Sequence, residues 1–162
     1  MYRIDNIDFE IVNMLMEDGR MRAAEIARRL GSKSERAVRY RIDRMIDNNV
    51  IRLSAIVNPK GLGMNVVADV LLEVDSDSIL EVANKMAEFE NVSYVACSIG
   101  ETDISVQVLA GDTSEVYRFV TEVIGKIPGV RKTTTSIVPL VVKDIFQWRI
   151  PASLINENLN EE

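Results

Sequence analysis

The sequence predicts an α+β protein built from two small domains, a three-helix unit of helix-turn-helix type followed by a βαββαβ unit of ferredoxin-like type. Three observations lead there. Apolar residues recur at helical spacing up to about Asn48, the pattern switches to alternating strand and helix beyond Gly63, and the turn-forming run Asn58-Pro59-Lys60-Gly61 separates the two. With 162 residues, 47% apolar and 27% charged, the chain is long enough for each part to bury a core of its own.

Each element has a local cause. Ile7, Ile11, Met14 and Leu15 define a first helix from Asn6 to Glu17, with Asp5 or Asn6 as its cap and Asp18-Gly19 as its stop. Ala23–Leu30 reads as a second helix through Ile26, Ala27 and Leu30, closed by Gly31. Ser34 is a candidate N-cap for a third helix to about Asn48, buried through Val38, Ile42, Met45 and Ile46, although Ser32 with Glu35 offers a competing capping box. The β-branched run Val50–Val57 reads as a hinge strand before a linker. Strands are then expected at Asn65–Val74, Val92–Ser98, Ile104–Ala110 and Val130–Val142, the last with Pro139 as a candidate interruption, and helices at Ser78–Glu88 and Ser114–Lys126. The resulting boundaries are 1–50 for the helical domain, 51–63 for the hinge strand and linker, 64–143 for the sheet domain and 144–162 for a C-terminal extension. In the extension Phe146, Trp148 and Ile150 alternate like a strand, and the polar stretch from 156 on is expected to fray. A ferredoxin-like sheet carries its helices on one face, so an apolar bare face predicts a homodimer.

Charge is distributed unevenly. The overall net charge is −6, yet the chain through Lys60 has twelve Lys and Arg against nine Asp and Glu, and the remainder has seven against sixteen. Between Arg28 and Arg44 stand Arg28, Arg29, Lys33, Arg36, Arg39, Arg41 and Arg44, with only Glu35 and Asp43 as acids. Because screening limits exposed charges to about 8–10 Å, this local excess matters more to a polyanion than the net charge does.

A helix-turn-helix lays its second helix in the major groove of double-stranded DNA with the first turn at the base edges. Val38 and Ile42 facing inward turn Arg36, Arg39 and Tyr40 outward near the helix start, with Ser34 and Ala37 beside them and Arg44 further along. Arginine there can grip a guanine edge or a phosphate, and Arg28, Arg29 and Lys33 are candidate phosphate anchors. A solvated helix face is the competing explanation, but such a face usually mixes both signs.

Histidine is absent, which removes the commonest acid-base catalyst near neutral pH and the commonest metal ligand. Neither enzyme chemistry nor a cofactor is expected. The single cysteine, Cys97, reads as a core residue on an apolar strand and permits no intramolecular disulfide. No signal segment and no membrane-length apolar run is present, so a cytoplasmic protein with no membrane partner is expected. Gly61-Leu62-Gly63 lacks the rest of a dinucleotide loop, and hinge flexibility explains it better.

A series of short segments adds to this. The helical part holds Ile7-Asp8-Phe9-Glu10-Ile11, Glu17-Asp18-Gly19-Arg20, Glu25-Ile26-Ala27-Arg28-Arg29-Leu30-Gly31, Arg41-Ile42-Asp43-Arg44-Met45 and Asn49-Val50-Ile51. Further on come Asn58-Pro59, Leu62-Gly63, Gly100-Glu101-Thr102-Asp103 and Pro128-Gly129-Val130. In their order and spacing the chain resembles the Lrp/AsnC, or feast/famine, transcription regulators over nearly its whole length. The resemblance implies a winged-type helix-turn-helix, a hinge strand, sheet-mediated dimers that assemble into tetramers or octamers, and an amino acid or related small metabolite held between dimers. Carried over by position, the effector residues are Ser98, Gly100, Glu101, Thr102 and Asp103 in the turn before the third regulatory strand, with Thr133 and Thr135 as polar neighbours. By their chemistry alone these residues also fit an ordinary strand connection. Two departures stand out: the stretch from Gly31 to Arg41 is one residue longer than the usual family turn, and the chain past Lys143 exceeds the family minimum. Two rival functions are a sirohaem-decarboxylase-like enzyme, which by resemblance depends on histidine, and a metabolite-sensing assembly module without DNA binding.

Overall fold

The structure, a computed structural model, describes residues 2–31 and 33–155, and the chain divides into two compact units. One comprises the chain up to Ile56 together with the chain from Asp144 on; the other is Val57–Lys143.

The first unit is built on three helices, α1 (Asn6–Glu17), α2 (Ala23–Leu30) and α3 (Glu35–Asp47). Asp5 caps α1, its carboxylate accepting the Asp8 N–H at 2.8 Å. Gly31 stops α2 in the left-handed conformation at φ 71, where a Cβ would be strained. Ser34 caps α3, its hydroxyl accepting the Ala37 N–H at 3.1 Å; the competing box at Ser32 lies outside the described residues. Ile11, Val12, Met14, Ile26, Ala27, Val38 and Met45 form the core, with Ile42 half-buried against it. Ile46, expected on the buried stripe, is exposed, because Met45 fills the inward position of that turn.

Residues 51–58 do not form the expected hinge strand: no regular structure is assigned there. A strand needs a laddered neighbour for its N–H and C=O groups, and this segment has none among the described residues. The C-terminal extension also differs from expectation. Instead of an alternating strand it makes a short 3-10 turn at Ile145–Gln147, and Ile150 packs against the core of the helical unit.

The second unit is an antiparallel four-stranded sheet, order β2-β3-β1-β4, made of β1 (Val66–Val74), β2 (Val92–Cys97), β3 (Ile104–Ala110) and β4 (Val130–Val138). Alternate residues Ala68, Val70, Leu72 and Val74 of β1 and Ile104, Val106, Val108 and Ala110 of β3 are buried under α4 (Ile79–Ala87) and α5 (Thr113–Arg118). The helix after α5 widens into a π turn over Phe119–Val123 and tightens into 3-10 geometry over Ile124–Lys126. β4 stops at Val138, at the candidate interruption, because Pro139 has no N–H to continue the ladder to Val142. Cys97, expected in the core, is exposed as the last residue of the edge strand β2.

Register identifies what the bare face carries. The residues opposite the helices are Val67, Asp69, Leu71 and Glu73 on β1, Ser105, Gln107 and Leu109 on β3, Tyr94 and Ala96 on β2, and Lys132, Thr134, Ser136 and Val138 on β4. The face is therefore mixed rather than apolar, with Leu71 and Tyr94 exposed beside a Gln107–Asp69 hydrogen bond of 3.3 Å and a Lys132–Glu73 ion pair of 2.7 Å.

Candidate nucleic-acid interface

The outward face of α3 carries the candidate groove contacts, and the structure sorts its cations by what already holds them. Arg36, in the first turn, is exposed and has no hydrogen-bond or ion-pair partner among the described residues; neither has Lys33 just before the cap. Arg39 reaches back one turn to Glu35, its Nε donating to Oε1 at 3.0 Å. The Arg44 guanidinium lies 5.1 Å from the Tyr2 ring centroid and 5.9 Å from that of Tyr40, stacked between two aromatic faces. Tyr40 keeps 62% of its surface exposed, and Ala37 is half-buried, small enough to let a groove wall approach.

On α2, Arg28 and Arg29 share Glu25. Arg28 makes a two-point contact at 2.9 and 2.7 Å, and the Arg29 Nε donates at 2.9 Å. Their hydrogen bonds hold the Glu25 carboxyl down to about 2, so one negative charge stays beside two positive ones at any physiological pH. Both arginines remain exposed enough to meet a phosphate.

Arg41 has a different role from its neighbours. It belongs to the basic run in sequence but points inward, its Nη1 donating to Asp5 and Asp8 at 2.7 Å each. Those carboxylates are nearly sealed off, at 8% and 2% side-chain exposure, and the Tyr2 hydroxyl donates to the other oxygen of Asp8 at 2.9 Å. Burial alone would lower the Arg41 pKa, but the bonds to Asp8 and Asp5 outweigh it and raise it. The cluster ties the start of α1 to the middle of α3, and Tyr2 and Asp8 are the members that a search for groove contacts does not find.

The same cluster sets a pH response. Burial, followed by the hydrogen bond to Asp8, pushes the Tyr2 phenol from 10.0 up to about 12. Below pH 10 it is neutral in folded and unfolded chains alike, and its contribution is fully present. Between pH 10 and about 12 only the unfolded chain ionises, so the helical unit loses stability as pH rises through that window. Subtracting the Tyr2→Phe curve of urea midpoint against pH from the wild-type curve isolates this loss; parallel curves above pH 10 contradict it.

In the sheet unit, the carried-over effector residues lie at one end of the sheet. The Ser98 hydroxyl donates to the Thr102 carbonyl at 2.9 Å, and the Ser98 N–H donates to the Asp103 carbonyl at 2.8 Å, closing the β2–β3 turn. Gly100 sits at φ 156 with its neighbours open to solvent, and Glu101 is exposed. Asp103 is committed to the fold: its carboxylate accepts the Val74 N–H at 2.7 Å, where β1 bulges, and stands 3.8 Å from Arg131. Thr133 and Thr135 lie on β4, paired with Leu72 and Val70 of β1 and at the opposite edge of the sheet from β2, so one chain alone does not gather all seven residues around one ligand.

Two family models match different parts of the chain. The AsnC-type helix-turn-helix domain model matches residues 4–46, and the Lrp/AsnC ligand binding domain model matches residues 67–147. The chain belongs to the Lrp/AsnC family. Its Lrp/AsnC relatives include an uncharacterised HTH-type transcriptional regulator of Pyrococcus furiosus, 38% identical over 86% of this chain and 95% of its own length. Another is the HTH-type transcriptional regulator LrpA of Pyrococcus horikoshii, 35% identical over 83% of this chain and 96% of its own. Among solved structures, E. coli AsnC superposes with a TM-score of 0.81 at 25% identity, covering 90% of this chain and 99% of that one. A Neisseria meningitidis transcriptional regulator in complex with L-Met shares the Lrp/AsnC fold, with a TM-score of 0.80 at 22% identity over 87% of this chain and 93% of that one.

Proposed function

We propose that this chain is a DNA-binding transcription regulator that reads sequence through the first turn of α3. The observation that carries this reading is the capped, outward start of α3, where Arg36 is exposed with an uncommitted guanidinium. The family and the named relatives are transcriptional regulators rather than enzymes. Within that function Arg36 contacts a base edge with Ala37 and Tyr40 beside it. Lys33, Arg28, Arg29, Arg39 and Arg44 meet phosphates, and Ser34 holds the helix start.

The second unit senses a small amino acid or related metabolite, as its ligand-binding family description and the L-Met complex of the Neisseria regulator suggest. The exposed β2–β3 turn, with Ser98, Gly100, Glu101, Thr102 and Asp103, supplies backbone N–H groups and the Glu101 carboxylate for such a ligand, with the Asp103 carboxylate holding the turn against β1. Thr133 and Thr135 join it from another copy across an interface between dimers. The mixed sheet face, through Leu71, Tyr94, Val67 and Leu109, joins two chains into a homodimer that assembles further into tetramers or octamers, and the protein works in the cytoplasm.

Selection of bound duplexes from a random pool tests the reading. A twofold dimer yields a rough palindrome with half-sites about one helical turn, ~10 base pairs, or a multiple of it, apart. Recovery of no sequence above that given by an acidic control protein makes the chain an assembly module without DNA binding.

A further inference from the structure

The described chain ends within the helical unit, although it has just passed through the sheet unit. It crosses between units at Ile56 and returns at Asp144. The Asp144 carboxylate accepts the Phe146 and Gln147 N–H groups at 2.9 and 3.2 Å, and the Gln147 side chain accepts the Asp144 N–H at 3.0 Å. That closed turn fixes the direction in which the chain continues. Beyond it, Arg149 Nη1 donates to Asn13 Oδ1 of α1 at 3.0 Å, Ile150 packs on the core built from Ile11, Val12 and Ile26, and Ile155 pairs with Ile4 in a parallel bridge. Both family domain models have ended by residue 147, so neither accounts for these contacts.

The position of the bridge is what gives the segment consequence. Ile4 directly precedes Asp5, and Asp5 both caps α1 and accepts from Arg41 of α3. A single line of contacts therefore runs from Ile155 through Ile4 and Asp5 to the recognition helix, and a second runs from Arg149 to Asn13 on α1, the helix that also carries Asp8. Ile150, half-buried against the core of the helical unit, anchors both.

We propose that residues 149–155 form a strap docked on α1 and the residues before it, which fixes the angle of α3 through Asp5, Asp8 and Arg41 and so positions the helix for its DNA site. The DNA part of this rests on the regulator reading; the docking and its effect on α3 do not.

The test uses the full chain, a chain ending at Lys143, and the variants Ile150→Asp and Ile150→Leu. Amide exchange in residues 4–15 and 38–45 is expected to speed up about tenfold or more in the shortened chain and in Ile150→Asp, and to stay near wild type in Ile150→Leu. Affinity for the selected operator falls about tenfold in the same two proteins, while affinity for a scrambled duplex, which needs only exposed cations, stays within about twofold. Unchanged exchange overturns the docking. Faster exchange with operator affinity intact, or with scrambled-duplex binding lost equally, overturns the positioning role. If the wild-type chain selects no operator, the regulator reading fails, and exchange at residues 38–45 still decides whether the strap holds α3.

Discussion

Replacing Arg41 with methionine is expected to lower the stability of the helical unit by about 3 kcal/mol or more, although Arg41 lies in the basic run that faces DNA in sequence. The substitution keeps most of the side-chain length but leaves Asp5 and Asp8 as carboxylates with 8% and 2% exposure and no cation between them. The cost comes from the charges left behind, since two buried like charges repel and neither regains water. Two further variants separate this from lost packing. Arg41→Lys keeps the charge but carries its ammonium on a shorter stem than the Nη1 that serves both carboxylates, so it recovers part of the loss. Adding Asp8→Asn to Arg41→Met removes one stranded charge and recovers another part, while Asp5 keeps its cap on α1. Urea unfolding of the full-length chain gives all four values. An Arg41→Met protein as stable as wild type places Arg41 on the surface and removes the bracket that orients α3.

The largest effect on binding is expected at Arg36. Truncation to alanine costs about 1–3 kcal/mol of operator affinity if the guanidinium grips a guanine edge, and it relaxes preference at one base pair per half-site. Arg39→Ala costs less, because Arg39 must first leave Glu35, and that ion pair already offsets part of its field. Lys33→Ala weakens binding uniformly across sequences and lowers the salt dependence by about one unit of slope, the mark of a phosphate contact. Competition binding on the selected operator and its single-base variants separates these effects. If Arg39→Ala relaxes the base preference and Arg36→Ala does not, the reading position on α3 is misassigned by about one helical turn.

Much of the fold was legible in the residues. The bounds of α2, the stop at Gly31, the Ser34 cap and the βαββαβ order all come from local chemistry that tertiary packing does not override. The inward role of Arg41 carried a signal of its own: it falls between Val38 and Met45 on the stripe that packs inward, just as Asp8 falls on the stripe of Ile11 and Val12. A charged residue on an apolar stripe asks for a buried partner of opposite sign, and each of these answers the other. The strand expected at 50–57 failed for a reason outside any local pattern, since pairing requires a neighbour that residue preferences do not name. The strap was hidden for the same reason: nothing in Arg149, Ile150 or Ile155 says that their contacts lie more than a hundred positions earlier, at Asn13 and Ile4. The mixed character of the bare sheet face was readable from period two once β1 and β3 were placed, through Asp69, Glu73, Ser105 and Gln107.

The most direct test of DNA reading by α3 is the affinity of the wild-type chain for its selected operator and for a scrambled duplex of equal length, each measured across a range of salt. The account predicts that the operator is bound at least about a thousandfold more tightly at physiological salt, with both affinities falling steeply as salt rises. Equal affinity for the two duplexes, whatever its salt dependence, would contradict it.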